Sequence, residues 1–331
     1  MDDSLLPIVR AALLADAPTG RRWLVESLWA RAGVGIVGGA PKCCKSWLAL
    51  DIALSVASGT ACLGRFAVHD PGAVLLYLAE DGPEAIKHRL LGLCRHRRLD
   101  LGALPLDVIT APSLRLDLDR DRARLSRTLR AVRPRLLLLD PFVRLHRIDE
   151  NNAGDVSAIL AFLRELQREH DVAVLVVHHA RKNGPAGTQA GQGLRGSGDF
   201  HAWIDSALYV RRTKDHLSVS VEHRAAAAPD ALLMSLVPDD AGGARLELVA
   251  PHDDASIPDL RARVLGALDE AGGLASRETL RASLKLRNER LGVALQELLR
   301  DGVIVHERDG WRRVPVPPSC KRRERNGAPS T

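Results

Sequence analysis

Five short apolar runs, each followed by a stretch with helical spacing, restrict this chain more than any other feature. They are GVGIV (33–37), AVLLYL (73–78), DVIT (107–110), RLLLLD (135–140) and VAVLVV (172–177). Near-continuous runs of this kind suit strands covered on both faces rather than strands open to water on one. Candidate helices lie between them at about 45–57, 83–98, 119–132 and 153–170, the last with Val156, Ile159, Leu160, Leu163 and Leu166 at helical spacing. This order implies an α/β domain built on a mainly parallel sheet. Alternating segments around 204–211, 217–222, 232–237 and 245–249 predict antiparallel strands that extend the sheet, with AAAAPD (225–230) as a turn.

The chain has 331 residues, room for one large domain and a small module. A hydrophobic content of 46% with 27% charged residues excludes a mainly disordered, collagen-like or disulfide-scaffold chain. No apolar run reaches the roughly 18 to 20 residues of a membrane helix, and MDDSLLPIVR has acids where a signal peptide has bases. A cytoplasmic protein without membrane contact is therefore expected. The five cysteines form no CxxC pair and no His-spaced zinc pattern, which predicts reduced thiols and no structural metal.

Residues 181–198 hold six glycines without periodicity, the mark of a long functional or mobile loop. PHDDASIP (251–258) marks a boundary. The expected division is an N-terminal extension (1–21), the α/β domain (22–250), a linker (251–256), a small module (257–314) and a disordered basic tail (315–331). Of the net charge of +6, residues 256–331 carry +5, which points to a polyanionic partner at that end.

The first apolar run leads into Gly38, Gly39, Ala40, Pro41, Lys42, Cys43, Cys44, Lys45, Ser46 and Trp47, and then into a helix-forming segment. This nearly fits GxxxxGK[ST] between a strand and a helix. In that pattern backbone N–H groups wrap phosphates, the lysine reaches the β- and γ-phosphates and the hydroxyl helps hold Mg²⁺. Residues Gly39 and Pro41 to Trp47 are the candidate ATP contacts. Two of only seven lysines, Lys42 and Lys45, sit here in a chain rich in arginine. Cys44 departs from the pattern, since it stands where the second motif glycine belongs and brings a Cβ close to the phosphates. Thiols beside a helix N-terminus and Lys45 also raise the expectation of a lowered pKa and oxidation-sensitive binding.

Asp140 closes the fourth run at the C-terminal end of its strand, where open α/β sheets bind ligands, and is the expected Mg²⁺ partner of Ser46. AVLLYLAED delivers Glu80 and Asp81 to the same edge. Glu80 is the candidate for orienting and deprotonating a water, and Asp81 the candidate helix cap. His178 and His179 end the next strand, within reach of a γ-phosphate. Arg195, Arg211 and Arg212 are candidates to stabilise transferred-phosphoryl charge across a subunit boundary.

With this set assembled, residues 22 to about 250 resemble the RecA-type P-loop ATPases, most closely the RepA-like hexameric replicative helicases of plasmids and mobile elements. The resemblance rests on GGAPKCCKSWLALDIALSVASG, VLLYLAEDGP, LLLLDPFVRL, VLVVHHARK and LRGSGDF, in that order. It implies Lys45 and Ser46 at nucleotide and Mg²⁺, Glu80 as catalytic carboxylate, Asp140 as Walker B acid and His178 as γ-phosphate sensor. It further implies a ring, hexameric in that family, with ATP between subunits and DNA-contacting loops near 142–152 and 181–198. HAWIDSALYV, after LRGSGDF, lacks an arginine where the helicase finger would be expected.

Residues 257–314 read as three helices and a hairpin, with Ser276 and Asn288 as N-caps and Leu291, Leu295, Leu298 and Leu299 on one helix face. VIVHERDGWRRVP supplies two β-runs joined through Asp-Gly. This resembles a winged helix-turn-helix, which puts Arg287, Asn288, Arg290, Arg312 and Arg313 forward as DNA contacts. The combined reading is an ATP- and Mg²⁺-dependent homo-oligomer acting on DNA in replication or maintenance of a mobile element. The alternative is a DNA-binding regulator or loader with a degenerate nucleotide site.

Overall fold

A computed structural model describes residues 8–13, 22–150, 152–179, 197–213, 216–239, 242–249, 257–284, 288–307 and 310–314. The linker, the basic tail, most of the Gly-rich loop, Arg195, Arg287 and the side chains of Asn288 and Arg290 lie outside the described residues. The chain divides into two compact units, Met1–Val249 and Ala250–Thr331.

In the first unit a small hairpin, β1 (Trp23–Val25) and β2 (Trp29–Ala30), precedes β3 (Val34–Gly39) and α1 (Lys45–Ser58). The chain continues through β4 (Val74–Leu78), α2 (Pro83–Arg97), β5 (Leu106–Val108), α3 (Asp119–Val132), β6 (Leu136–Asp140), α4 (Ala153–His170) and β7 (Ala173–His179). It ends with α5 (Ser197–Trp203), β8 (Ser206–Arg212), β9 (Leu217–His223), β10 (Leu232–Pro238) and β11 (Ala244–Leu248). Nine of these strands form one sheet in the order β11-β10-β9-β8-β3-β7-β6-β4-β5.

The expected α/β architecture is present, with one correction. β8 was expected to begin the antiparallel extension, yet it pairs parallel with β3, and the antiparallel block starts at β9. The reason is α5, which returns the chain across the sheet between β7 and β8. The two-stranded β1–β2 hairpin was not foreseen, since strands of three and two residues leave no periodicity to read.

The pleat assigns side chains to the two faces. Val74, Leu76, Leu136, Leu138, Leu175 and Val177 pack with α1 and α2, while Leu75, Tyr77, Leu137, Leu139, Val174 and Val176 pack with α3, α4 and α5. α1 is buried over most of its circumference, as its composition of Leu, Ile, Ala and Val dictates. Its one buried acid, Asp51, is paired at 2.6 Å with Arg97 of α2, and that guanidinium also donates to Ser55 Oγ (2.7 Å) and Thr60 Oγ1 (3.0 Å). This cluster fixes the axis of α1, and with it the loop before the helix.

The second unit runs α6 (Ile257–Glu270), β12 (Leu274–Ala275), α7 (Arg277–Leu284), α8 (Asn288–Arg300), β13 (Ile304–Glu307) and β14 (Gly310–Arg313), with a sheet ordered β12-β14-β13. Ser276 Oγ accepts the Thr279 N–H at 3.1 Å, the expected cap of α7. Leu291, Leu295 and Leu298 are buried, but Leu299 is 42% exposed. Eight residues past Leu291, the helix has drifted about 80° out of the stripe. Among the described residues no helix is long and apolar enough to cross a membrane.

Candidate functional site

The site is built at the C-terminal ends of β3, β4, β6 and β7. β3 ends at Gly39, whose φ of 150° and position against β8 exclude a side chain: a Cβ there would lie 2.2 Å from the Val210 carbonyl oxygen. The loop that follows wraps the N-terminus of α1. Lys42 and Cys44 are both left-handed, with φ of 62° and 65°. Cys44, directly before the lysine, therefore stands at a position where a glycine would be unstrained, and its Cβ costs about 1 to 2 kcal/mol.

Lys42, Cys43, Cys44, Lys45, Ser46, Trp47, Glu80 and Asp140 line one cavity of about 310 Å³, together with Arg89, Val177 and His179. Lys45 is buried, its Nζ donating to the Ala40 carbonyl at 2.8 Å, and burial holds its pKa below the usual lysine value. Asp140 lies on the α1 face of β6 by strand parity with Leu136 and Leu138. Burial pushes its carboxyl up to about 6; Ser46 hydrogen bonding opposes the rise, Asp81 adds to it, Lys45 opposes it and Glu80 adds to it. An ammonium drawn back onto a carbonyl, a hydroxyl bonded to a desolvated carboxylate, and further carboxylates nearby are groups that a phosphate and a divalent cation would satisfy together. The donor set fits Mg²⁺, which takes one or two protein oxygens and completes its shell with phosphates and water. Among the described residues no group of three or more His, Cys, Asp or Glu side chains is arranged to hold a metal alone.

Three sequence expectations change. His178 is only 1% exposed and faces the other side of the sheet, stacked on Phe200 at 4.4 Å and edge-on to Phe142 at 5.6 Å. His179, one pleat further, lines the cavity instead. Asp81 does not cap α2: Gly82 is the N-cap residue, and Asp81 pairs with Arg89 at 2.6 Å. Cys43 is buried, and that burial raises its thiol pKa rather than lowering it. Gly39 and Pro41 shape the loop without lining the cavity.

Further residues join the site. Arg89 lies over the Trp47 ring at 5.6 Å and forms one wall of the cavity. Arg212, at the end of β8, donates to Cys44 Sγ at 3.2 Å, so it meets the phosphate-type loop of its own chain. Glu80 is ion-paired with Arg144 at 2.9 Å. Nothing in the sequence linked Glu80 with Arg144, which lie on separate strand-end turns.

A family model described as an AAA domain matches residues 2–185. The chain belongs to the AAA domain family. Among solved structures it is similar to one reported as a DnaB-like replicative helicase and its interactions with primase, at 15% identity and a TM-score of 0.50. That match covers 65% of this chain and 57% of the helicase chain. It is also similar to the RadB recombinase at 18% identity, with 66% of this chain and 92% of that chain covered and a TM-score of 0.47. The AAA-domain chain has the α/β fold of the RecA-like P-loop proteins, with a large, mostly parallel sheet.

In the second unit Arg312 and Arg313 of the hairpin are both engaged. Arg312 Nε donates to Glu307 Oε1 at 2.7 Å, and Arg313 Nη1 donates to Asp269. Their charges are exposed but locally balanced.

Proposed function

We propose that this protein binds ATP with Mg²⁺ at the end of β3, hydrolyses it and couples that turnover to DNA. The observation that carries the reading is the convergence of Lys45, Ser46, Glu80 and Asp140 on one cavity at the α1 N-terminus. In this reading Lys45 leaves the Ala40 carbonyl for the β- and γ-phosphates, and loop N–H groups cradle the chain. Ser46 and Asp140 would hold Mg²⁺, which supplies charge neutralisation on the transferred phosphoryl group. Glu80 orients and deprotonates water once turned toward the cavity. In this reading His179, which lines the cavity, takes the place expected of His178 at the terminal phosphate.

The finer reading is a RepA-like, ring-forming ATPase, a hexamer in the extreme case, with a winged helix-turn-helix at residues 257–314. Its role would be replication or maintenance of a plasmid or other mobile element. The order helix, strand, helix, helix, hairpin supports the winged-helix assignment. A second reading, favoured by the left-handed Cys44 and the Arg212 contact on its thiol, is a DNA-binding regulator whose nucleotide site no longer turns over.

DNA-stimulated ATPase assays on wild type, Cys44→Gly and Lys45→Ala separate the two. The motor reading expects wild-type turnover that Lys45→Ala removes. Turnover that appears only in Cys44→Gly sinks it and leaves the regulator. Sizing with and without ATP and Mg²⁺ tests the ring, which a monomer under both conditions would exclude.

A further inference from the structure

The outer side of α3 carries charge of one sign. From Asp119 to Arg135 the chain has seven arginines against two aspartates, a net +5, whereas residues 1–255 as a whole carry only +1. Positions 120, 124, 127 and 130 fall on one side of an α-helix, three or four residues apart. Arg120, Arg124, Arg127 and Arg130 are all exposed there, with Ala123 and Ala131 beside them, while Asp121, Leu125 and Leu129 are buried beneath. The row spans about 15 Å of helix axis in steps of about 4.5 to 6 Å.

We infer that this face is a docking surface for an acidic, helical peptide segment of a partner protein. The row has too few anions of its own. Asp121 is shared: its Oδ1 accepts Arg120 Nε at 3.1 Å and Arg124 Nη1 at 3.5 Å, and its Oδ2 accepts the Arg115 backbone N–H at 2.9 Å. The Asp121 side chain is 1% exposed, so it anchors the row from below, while Arg120 and Arg124 stay 73% and 53% exposed. Arg130 meets Glu169 of α4 at 2.8 Å, and Arg127 has no ion pair among the described residues. Like charges at these spacings repel along a helix, and a cation in the first turn opposes the helix dipole. An anionic partner reverses both effects.

Spacing and width select the partner. A helical peptide with Glu or Asp three and four residues apart repeats its carboxylates at the period of the arginines, so one straight contact pairs the whole row. Each guanidinium can hold a carboxylate through two parallel hydrogen bonds. At about 10 to 12 Å across, such a helix is no wider than α3 itself. Nucleic acid fits less well. α4 packs beside α3, with Ser126 Oγ 3.4 Å from His170 Nε2 and Arg122 over the Phe162 ring at 5.3 Å, and it exposes Glu165 and Glu169. Packed helix axes lie about 8 to 10 Å apart, less than the roughly 12 Å of a major groove, so a duplex on α3 would press phosphates against those glutamates. A single strand binds by stacking its bases on aromatic rings, and Phe162 is half-buried under Arg122.

The test uses the full chain and a fluorescein-labelled, alanine-based peptide of about 15 residues, long enough to be helical, with glutamates at three- and four-residue spacing. A counterpart with glutamine at those positions and labelled oligothymidylate serve for comparison. The glutamate peptide is expected to bind, more weakly as salt rises, and the glutamine peptide is not. Arg124→Ala with Arg127→Ala should weaken that binding by about three- to tenfold, the sum of two exposed pairs. Arg124→Gln with Arg127→Gln should do the same, and Arg124→Lys with Arg127→Lys should retain most of it. Alanine favours the helix, so melting followed by circular dichroism should show no loss of stability in the Ala variant. Arg312→Ala with Arg313→Ala, in the other basic region, should leave the glutamate peptide's affinity unchanged. So should Lys45→Ala, since this surface stands apart from the nucleotide reading. Equal binding of the glutamate and glutamine peptides overturns the proposal, as does wild-type affinity in both the Ala and the Gln variants. Oligothymidylate held more tightly than the glutamate peptide, and lost in the same variants, would reassign the face to nucleic acid and overturn it too.

Discussion

The two units treat charge in opposite ways. In the first, Lys45, Asp51 and Asp140 are each less than 10% exposed, and only Asp51 is matched by a close permanent counterion. In the second, Arg312 and Arg313 lie on an open hairpin and are balanced by Glu307 and Asp269. Burial makes a charge expensive unless it is paired, so the buried set divides into charges that hold the fold and charges kept poised for a ligand. Exposure makes a pair cheap to form and cheap to lose. In the function proposed above, the charges directed at a ligand are those at the strand ends of the first unit.

The largest expected effect breaks the buried set where it is fully paired. Arg97→Ala leaves Asp51 buried against Cys62 and the Leu63 N–H without its cation. Loss of one member of such a pair costs about 3 to 5 kcal/mol. Chemical denaturation should show the first transition shifted by that amount. Arg312→Ala, which removes an equally short but exposed pair, should leave its midpoint in place. Equal shifts in the two variants would erase the distinction between the units.

Next comes Asp140. Its carboxyl is raised to about 6 in the folded chain, against about 3.9 when unfolded, so the folded state holds this proton more tightly. The sign follows: stability from this group is full below about pH 4, is lost between about pH 4 and 6, and stays lost above. Two pH units correspond to about 3 kcal/mol. Asp140→Asn should flatten that window in metal-free buffer and be the more stable protein at pH 7. Mg²⁺ with nucleotide should stabilise wild type and not the variant. A wild type and variant with parallel pH profiles would show that the carboxyl is not desolvated.

Lys45→Ala should remove catalysis by about a hundredfold or more, the usual cost of deleting a charge-stabilising donor. Because burial already depresses the ammonium pKa, the same change should not destabilise the fold at neutral pH. A variant that unfolds instead would make Lys45 part of the scaffold.

How much of this was legible follows from the kind of information each feature needs. That Asp140 closes a buried strand and Lys45 opens the helix after another was readable, because a run of apolar residues announces a buried strand and marks where it ends. The choice between His178 and His179 was not, since it depends on the phase of the pleat, and adjacent letters differ only in which face they meet. The direction of β8 was hidden for a similar reason: the returning element, α5, is seven residues with no long periodic stripe. Leu299 was placed on the buried face because a stripe counted too far along a helix drifts. The Glu80–Arg144 and Arg212–Cys44 contacts join turns far apart in the chain, and no local pattern encodes them.

Cys44→Gly is a smaller change with an informative sign. A left-handed residue with a Cβ carries about 1 to 2 kcal/mol of strain that glycine lacks. The variant should therefore be more stable by about 1 kcal/mol despite the added freedom of the unfolded chain. Nucleotide affinity, followed by calorimetry, should rise as well, since the thiol no longer occupies Arg212. A less stable variant would mean that the thiol contact outweighs the backbone strain.

The smallest effect belongs to the hairpin, and it sharpens the comparison from the other side. Each phosphate contact contributes about 0.9 to the slope of log affinity against log salt on duplex DNA. Arg312 and Arg313 must give up Glu307 and Asp269 to make such contacts, so part of their electrostatic gain is already spent within the unit. The double variant Arg312→Ala, Arg313→Ala should therefore lower the slope by less than the roughly 1.8 that two unpaired cations would contribute. Glu307→Gln, which releases Arg312 without removing it, should tighten binding slightly at low salt, as measured by fluorescence anisotropy on a labelled duplex. No response to either change would show that the hairpin faces away from DNA, and would leave the +5 charge of residues 256–331 to act elsewhere on the module.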